Sequence, residues 1–145
     1  MYRNTISQTY YIRAPVTKVF DALTNPKMLS RWFLKSAALD QKKGGKYSFT
    51  PFAHDDNDER GGNVLEFRKN EKLVIDWPWA EDTKVTFITK KTGNNTLLRI
   101  IHSGFKDQES KLGHLAGWTY YLTNLKSVIE NKKDLRSTRD VIFRG

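Results

Sequence analysis

Cysteine is absent from this 145-residue chain, which excludes disulfides, thiolate metal sites, a cysteine nucleophile and dithiol redox chemistry. Long apolar runs are absent as well. No stretch reaches the roughly 18 apolar residues that cross a bilayer, and residues 1–13 are polar with no apolar signal segment. A cytoplasmic protein without membrane insertion is expected. The short patterns that announce catalysis are also missing: there is no HExxH and no Gly-x-Ser-x-Gly. Gly44-Gly45 and Gly61-Gly62 lack the Gly-x-x-x-x-Gly-Lys frame of a phosphate loop, and both pairs read as turns. His54, His102 and His114 stand far apart with no carboxylate at ligand spacing. Neither a metal nor another cofactor is expected.

What the chain does have is positive charge, a formal net of +9. That balance permits a nucleic acid or an anionic surface as partner. Its distribution points elsewhere, because the cations are scattered along strands and turns while Asp55, Asp56, Asp58 and Glu59 form an acidic loop. Only the last residues concentrate the sign, with Lys132, Lys133, Arg136, Arg139 and Arg144 against Asp134 and Asp140. The charge reads as a solvated basic surface, and no nucleic-acid partner is expected. A chain of this length makes one domain and buries roughly 68% of the surface its unfolded form exposes.

The pattern is organised around residues 111–131. Leu115, Trp118, Leu122, Leu125 and Ile129 recur at spacings of three and four, the signature of a helix with one apolar face. Tyr121 and Val128 widen that face, and Thr123, Asn124, Lys126 and Ser127 form its polar back. Most of what precedes it alternates as strands do. Residues 5–13 place Ile6, Tyr10 and Ile12 on one side. Two short helices follow, the first opening at Pro15 with Val16, Val19, Phe20 and Leu23 inward, the second carrying Met28, Leu29, Trp32 and Phe33. Tyr47 and Phe49, Leu65 and Phe67, Leu73 to Trp77, Val85 and Phe87, and Leu98 to His102 then alternate across short turns. One apolar face per strand with hairpin connections specifies an antiparallel sheet and an α+β fold.

The segments Ala14-Pro15 with Val19-Phe20 and Leu23-Thr24, Trp32-Phe33, Gly44-Gly45-Lys46-Tyr47-Ser48-Phe49, Thr96-Leu97-Leu98, His102-Ser103-Gly104-Phe105 and Gly117-Trp118 resemble the START-like (SRPBCC) superfamily. Within it they are similar to the AHSA-type branch, homologues of the activator of the heat-shock-protein-ninety ATPase. The resemblance covers about residues 5–131 and implies a helix-grip fold. A curved antiparallel sheet of about six strands would wrap the long C-terminal helix, with two short helices after the first strand and a hydrophobic cavity between sheet and helix. Residues 1–131 form that domain in this reading, and 132–145 form a basic tail that the core does not need. The departure from the short family members is this tail, which continues through Val141-Ile142-Phe143.

The inward side of the scheme collects Trp32, Phe49, Trp77, Phe87, His102, Trp118 and Leu122. Large rings under one helix either fill a core or line a pocket. The implied fold favours a modest cavity, and these residues are the expected ligand-binding set. Trp79 would sit at its mouth or cover the hairpin. His102 reads two ways, as an acid, base or orienting group in the cavity, or as a core histidine bonded to a carbonyl or to Ser103; the second is preferred. Three functions follow in order: non-catalytic binding of a small hydrophobic or amphipathic molecule; a co-chaperone-like interaction module with a chaperone as protein partner; and a polyketide cyclase-like enzyme using His102 with Tyr10 or Tyr47.

Overall fold

In the computed structural model, which describes residues 4–52, 59–78 and 80–137, alternation and helical spacing resolve into ten elements. These are β1 (Thr5–Ile12), α1 (Val16–Thr24), α2 (Pro26–Trp32), β2 (Leu34–Leu39), β3 (Lys46–Pro51), β4 (Arg60–Arg68), β5 (Lys72–Trp77), β6 (Thr83–Thr92), β7 (Asn95–Ser103) and α3 (Gln108–Asn131). The strands form one antiparallel sheet in the order β1-β7-β6-β5-β4-β3-β2. The sheet is curved around α3, so the fold is α+β helix-grip.

The sheet has seven strands, one more than the alternation suggested. The addition is β2, an edge strand whose Ser36, Ala37 and Ala38 lack the β-branched and aromatic residues that mark strands. Gly61-Gly62 does not reverse the chain. Both glycines lie inside β4, opposite Ser48 and Tyr47, and a Cβ on Gly62 would collide with the Tyr47 ring and the Asp76 carboxylate. Gly44, by contrast, sits in a turn at φ +84°, as a glycine pair there suggests.

Helix ends follow local chemistry. Asn25 accepts a bond from the Lys27 N–H at 2.9 Å and Pro26 takes the first position of α2. Asp107 caps α3 by accepting from the Glu109 N–H at 3.0 Å, which starts the helix at Gln108, three residues before the expected start at 111. It ends at Lys132 in the left-handed conformation, φ 56°.

The inward stripe of α3 is buried as expected, with Trp118, Tyr121, Leu122, Leu125 and Ile129 in the core. Its back differs. Asn124 and Ser127 are buried, because α2 and residues 132–137 cover that side. Asn124 Nδ2 donates to the Trp32 carbonyl and to Asp134, each at 2.9 Å, and its Oδ1 accepts from the Leu135 N–H at 2.6 Å. Ser127 donates to the Lys133 carbonyl at 2.7 Å. Arg136 then donates to the carbonyls of Leu34 at 3.1 Å and Ser30 at 2.9 Å, and its guanidinium lies 4.2 Å from the centre of the Phe52 ring. Contacts between tail and domain thus continue past Asn131 as far as Arg136. His54, Asp55, Asp56, Asp58, Trp79, Arg139, Asp140, Val141, Ile142, Phe143 and Arg144 lie outside the described residues.

Candidate functional site

Period-two alternation aims Phe49 of β3, Trp77 of β5, Phe87 of β6 and His102 of β7 at the concave face, where α3 lays Trp118 across them. Trp118 is the hub. Its ring centre lies 5.5 Å from Trp77, 5.8 Å from Phe87, 6.1 Å from His102 and 5.4 Å from Phe33. Phe33, a half-buried residue at the α2–β2 corner, also meets Phe49 at 6.1 Å, Tyr121 at 5.1 Å and Trp32 at 5.0 Å. These edge-on and tilted pairs, with Trp32 stacked on Phe33, form one continuous aromatic seam from α2 to β7.

All of the expected ligand-binding residues are buried, and they do not play equal parts. Trp32 reaches the seam through Phe33, while its indole N–H is tied to the Ala22 carbonyl at 2.8 Å. Leu122 is fully buried in the core cluster and takes no part in the aromatic contacts. Tyr47 packs its ring at a tilt on Phe49, 4.5 Å between centres, and donates its hydroxyl to the Asp76 carbonyl. Burial, reinforced by the nearby Asp76 charge, pushes its phenol well above the ordinary value. Tyr10 sits half-buried on β1 and donates to Gln8 at 2.9 Å; its phenol is also raised, mainly by burial.

One end of the seam carries polar groups, and every ring nitrogen there is committed. The Trp118 indole N–H donates to His102 Nδ1 at 3.0 Å. The single proton of the neutral imidazole therefore sits on Nε2 and faces Thr83 Oγ1 at 2.7 Å. The Thr83 hydroxyl donates onward to the Trp77 carbonyl at 3.4 Å. On α3, His114 Nδ1 faces the Ser110 carbonyl at 2.9 Å and must carry its proton, leaving Nε2 to accept the Trp77 indole N–H at 3.2 Å. The two imidazoles stand 4.9 Å apart. Burial pushes His102 down to about 2, with His114 adding to the shift. His114 is lowered too, first by burial and further by Arg60, against upward pulls from the Ser110 carbonyl and Glu81. Both rings are neutral at physiological pH. Neither has a free nitrogen to exchange protons with a ligand. The preferred sequence reading of His102 as a core histidine corresponds to this geometry, with Thr83 and Trp118 as partners in place of a carbonyl or Ser103.

His114, Thr83 and Phe33 were not in the expected site set. His114 carries the i−4 spacing to the inward Trp118, which is the one signal that would have turned it toward the sheet. Among the described residues no group of three or more His, Asp or Glu is placed to hold a metal, and no helix is long and apolar enough to cross a membrane.

The fold is shared with several solved structures. SSP2350 from Staphylococcus saprophyticus is 20% identical with a TM-score of 0.78, covering 92% of this chain and 96% of that one. The Aha1 dimer from Colwellia psychrerythraea is 21% identical with a TM-score of 0.75, covering 89% and 98%. CalU16 from Micromonospora echinospora is 27% identical with a TM-score of 0.68, covering 90% and 76%. No curated protein matches the sequence. The sequence match agrees with this START-like helix-grip fold: across residues 13–130 the chain belongs to the family of Activator of Hsp90 ATPase homolog 1-like proteins.

Proposed function

We propose that this chain binds a small hydrophobic or amphipathic molecule, without transforming it, between the curved sheet and α3. The observation that carries the reading is the aromatic seam itself. Rings from β3, β5, β6, α2 and α3 converge under one helix, and half-buried Phe33, Ala37, Leu115 and Tyr120 pack at its margin. Such a lining suits an apolar body of modest size. Trp32, Phe49, Trp77, Phe87, His102, Trp118 and Leu122 are the proposed binding set, with Trp32 acting as a strut behind Phe33. A cyclase-like enzyme would need a free acid or base, and His102, His114, Tyr47 and Tyr10 all spend their polar atoms on protein partners.

A thermal-shift screen of fatty acids, sterols and aromatic polyketides tests this. A ligand at 100 times its dissociation constant adds about 2.7 kcal/mol of stability. Failure of every class to raise the melting temperature, with no small molecule co-purifying, would remove the reading.

A second reading, a chaperone-docking module, is supported by the family's description and by the exposed cations Lys84, Lys90 and Arg99 on the outward faces of β6 and β7. Purified Hsp90 mixed with this chain should then show faster ATP hydrolysis; an unchanged rate and no binding would discard it.

A further inference from the structure

We infer that the bound molecule carries a hydroxyl at one end and that Glu81, in the turn between β5 and β6, accepts its hydrogen bond. This rests on the ligand-binding reading above and narrows it to a class. Strand directions place the turn. β3, β5 and β7 end, and β4 and β6 begin, at one rim of the sheet, with Trp77 opposite Thr83 and Lys84 opposite Ser103. α3 starts at the same rim. The polar end of the seam, formed by Trp77, Thr83, His102 and His114, is therefore the end that meets this turn.

Glu81 is held there. Both Glu81 and Asp82 adopt the left-handed conformation, at φ 60° and 57°, an arrangement that costs free energy and persists only where surrounding contacts fix it. Bonds from the Ala80 N–H to the Trp77 carbonyl at 3.2 Å and from the Thr83 N–H to the Ala80 carbonyl at 3.1 Å pin the turn. Glu81 Oε2 accepts from the Lys106 N–H at 3.1 Å. Its other oxygen, Oε1, is buried and has no donor, and no other side-chain polar atom among the described residues is in that position. A buried carboxylate oxygen without a donor is costly enough that it calls for a partner.

The ring N–H groups at the polar end of the seam are already committed. Phe105, next in sequence to Lys106, packs its apolar ring against His102 at 4.4 Å and His114 at 5.2 Å. The N–H groups of His102, His114, Trp77 and Trp118 point at Thr83, Ser110, His114 and His102 respectively. Among the described residues none donates to Oε1, and we assign the donor to the bound molecule. A neutral hydroxyl fits better than an ammonium, because Arg60 exerts its positive charge on His114 at the same rim and the chain as a whole is strongly cationic. With the rest of the molecule among Trp77, Phe87 and Trp118, the class is a hydroxylated aromatic or polycyclic compound with its hydroxyl at one end.

The test compares naphthol with its methyl ether by isothermal titration calorimetry. The two share an apolar body and differ in the donor. The wild-type chain should bind naphthol about tenfold more tightly, the fold-change of a hydrogen bond to a charged acceptor. In Glu81→Ala the ratio should fall to near one. Glu81→Gln keeps a neutral acceptor and the Lys106 contact, so it should give an intermediate ratio and reads out even if the alanine variant fails to fold. Equal binding of both probes to the wild type, or a preference that survives Glu81→Ala, would overturn the inference and leave the cavity standing. Absence of binding by either probe would remove the cavity reading and this inference with it.

Discussion

Ending the chain at Asn131 is the perturbation that separates sequence pattern from structure most sharply. The apolar stripe stops there, which makes residues 132–145 look dispensable. The contacts of Asn124 say otherwise. Truncation removes the Leu135 N–H and the Asp134 carboxylate, so Asn124 Oδ1 loses its donor; residues 132–137 no longer cover the residue, and only its α2 side stays packed. An acceptor left partly buried without a donor costs about 1–3 kcal/mol. The same cut removes the Lys132 and Lys133 N–H groups that close the helix on Val128 and Ser127, a cap loss of roughly 1 kcal/mol. Releasing the Leu34 and Ser30 carbonyls from Arg136 is nearly neutral, provided water replaces the guanidinium. The expected sum is about 2–4 kcal/mol, or a melting temperature lower by roughly 5–15 °C for a domain of this size. A chain ending at Ser137 should melt like the full-length protein. Thermal melts by circular dichroism of the three chains, each with and without Asn124→Ala, provide the cycle. Asn124→Ala should cost less in the truncated chain, because its partners are already gone. If the chain ending at Asn131 melted with the parent, the tail contacts would contribute nothing and the domain would end with the helix.

Trp118→Ala should lose about 3–5 kcal/mol as the hub of the seam, and Trp118→Phe about 1–3 kcal/mol by stranding His102 Nδ1, both read from urea midpoints; parent-like midpoints would place Trp118 outside the core. His102 and His114 have folded values below the unfolded one near 6.5, so the unfolded chain binds more protons beneath that pH. Their stability contribution is complete above about pH 7 and is lost as the pH falls below about 6.5, by up to about 1.4 kcal/mol per pH unit for each ring. A urea midpoint unchanged between pH 7.5 and 5, expressed on the scale of that one-unit slope, would contradict the buried neutral pair. Lys126→Ala, a surface change by helical pattern, should instead cost about 0.5–1 kcal/mol by thermal melt, since its ammonium bonds the Tyr11 carbonyl and Glu130. Thr123→Ala, on the exposed part of the same helix, should be neutral and serves as its control.

Period and punctuation in the sequence determined a great deal. Alternation gave the inward side of β1, β3, β5, β6 and β7, the three-and-four spacing gave the buried stripe of α3, and together they required an antiparallel sheet closed by one helix. These signals are local, because burial on one face repeats every two residues in a strand and about every 3.6 in a helix. β2 and the glycines of β4 were illegible for the same reason: Ala37 and Ala38 gain strand structure only from pairing with Phe49 and Ser48, and Gly62 is set by the ring of Tyr47. By type, Asn124 and Ser127 read as the polar back of the helix, and Thr83 and His114 were not among the residues expected inward. Asn124, Ser127, Thr83 and His114 are buried because partners from distant segments satisfy their hydrogen bonds. Which donor meets which acceptor across long sequence separations depends on the packing of α3 against the sheet and of the tail against α3. Tertiary structure alone decided that, and with it the closed chemistry of the histidines and the unpartnered oxygen of Glu81.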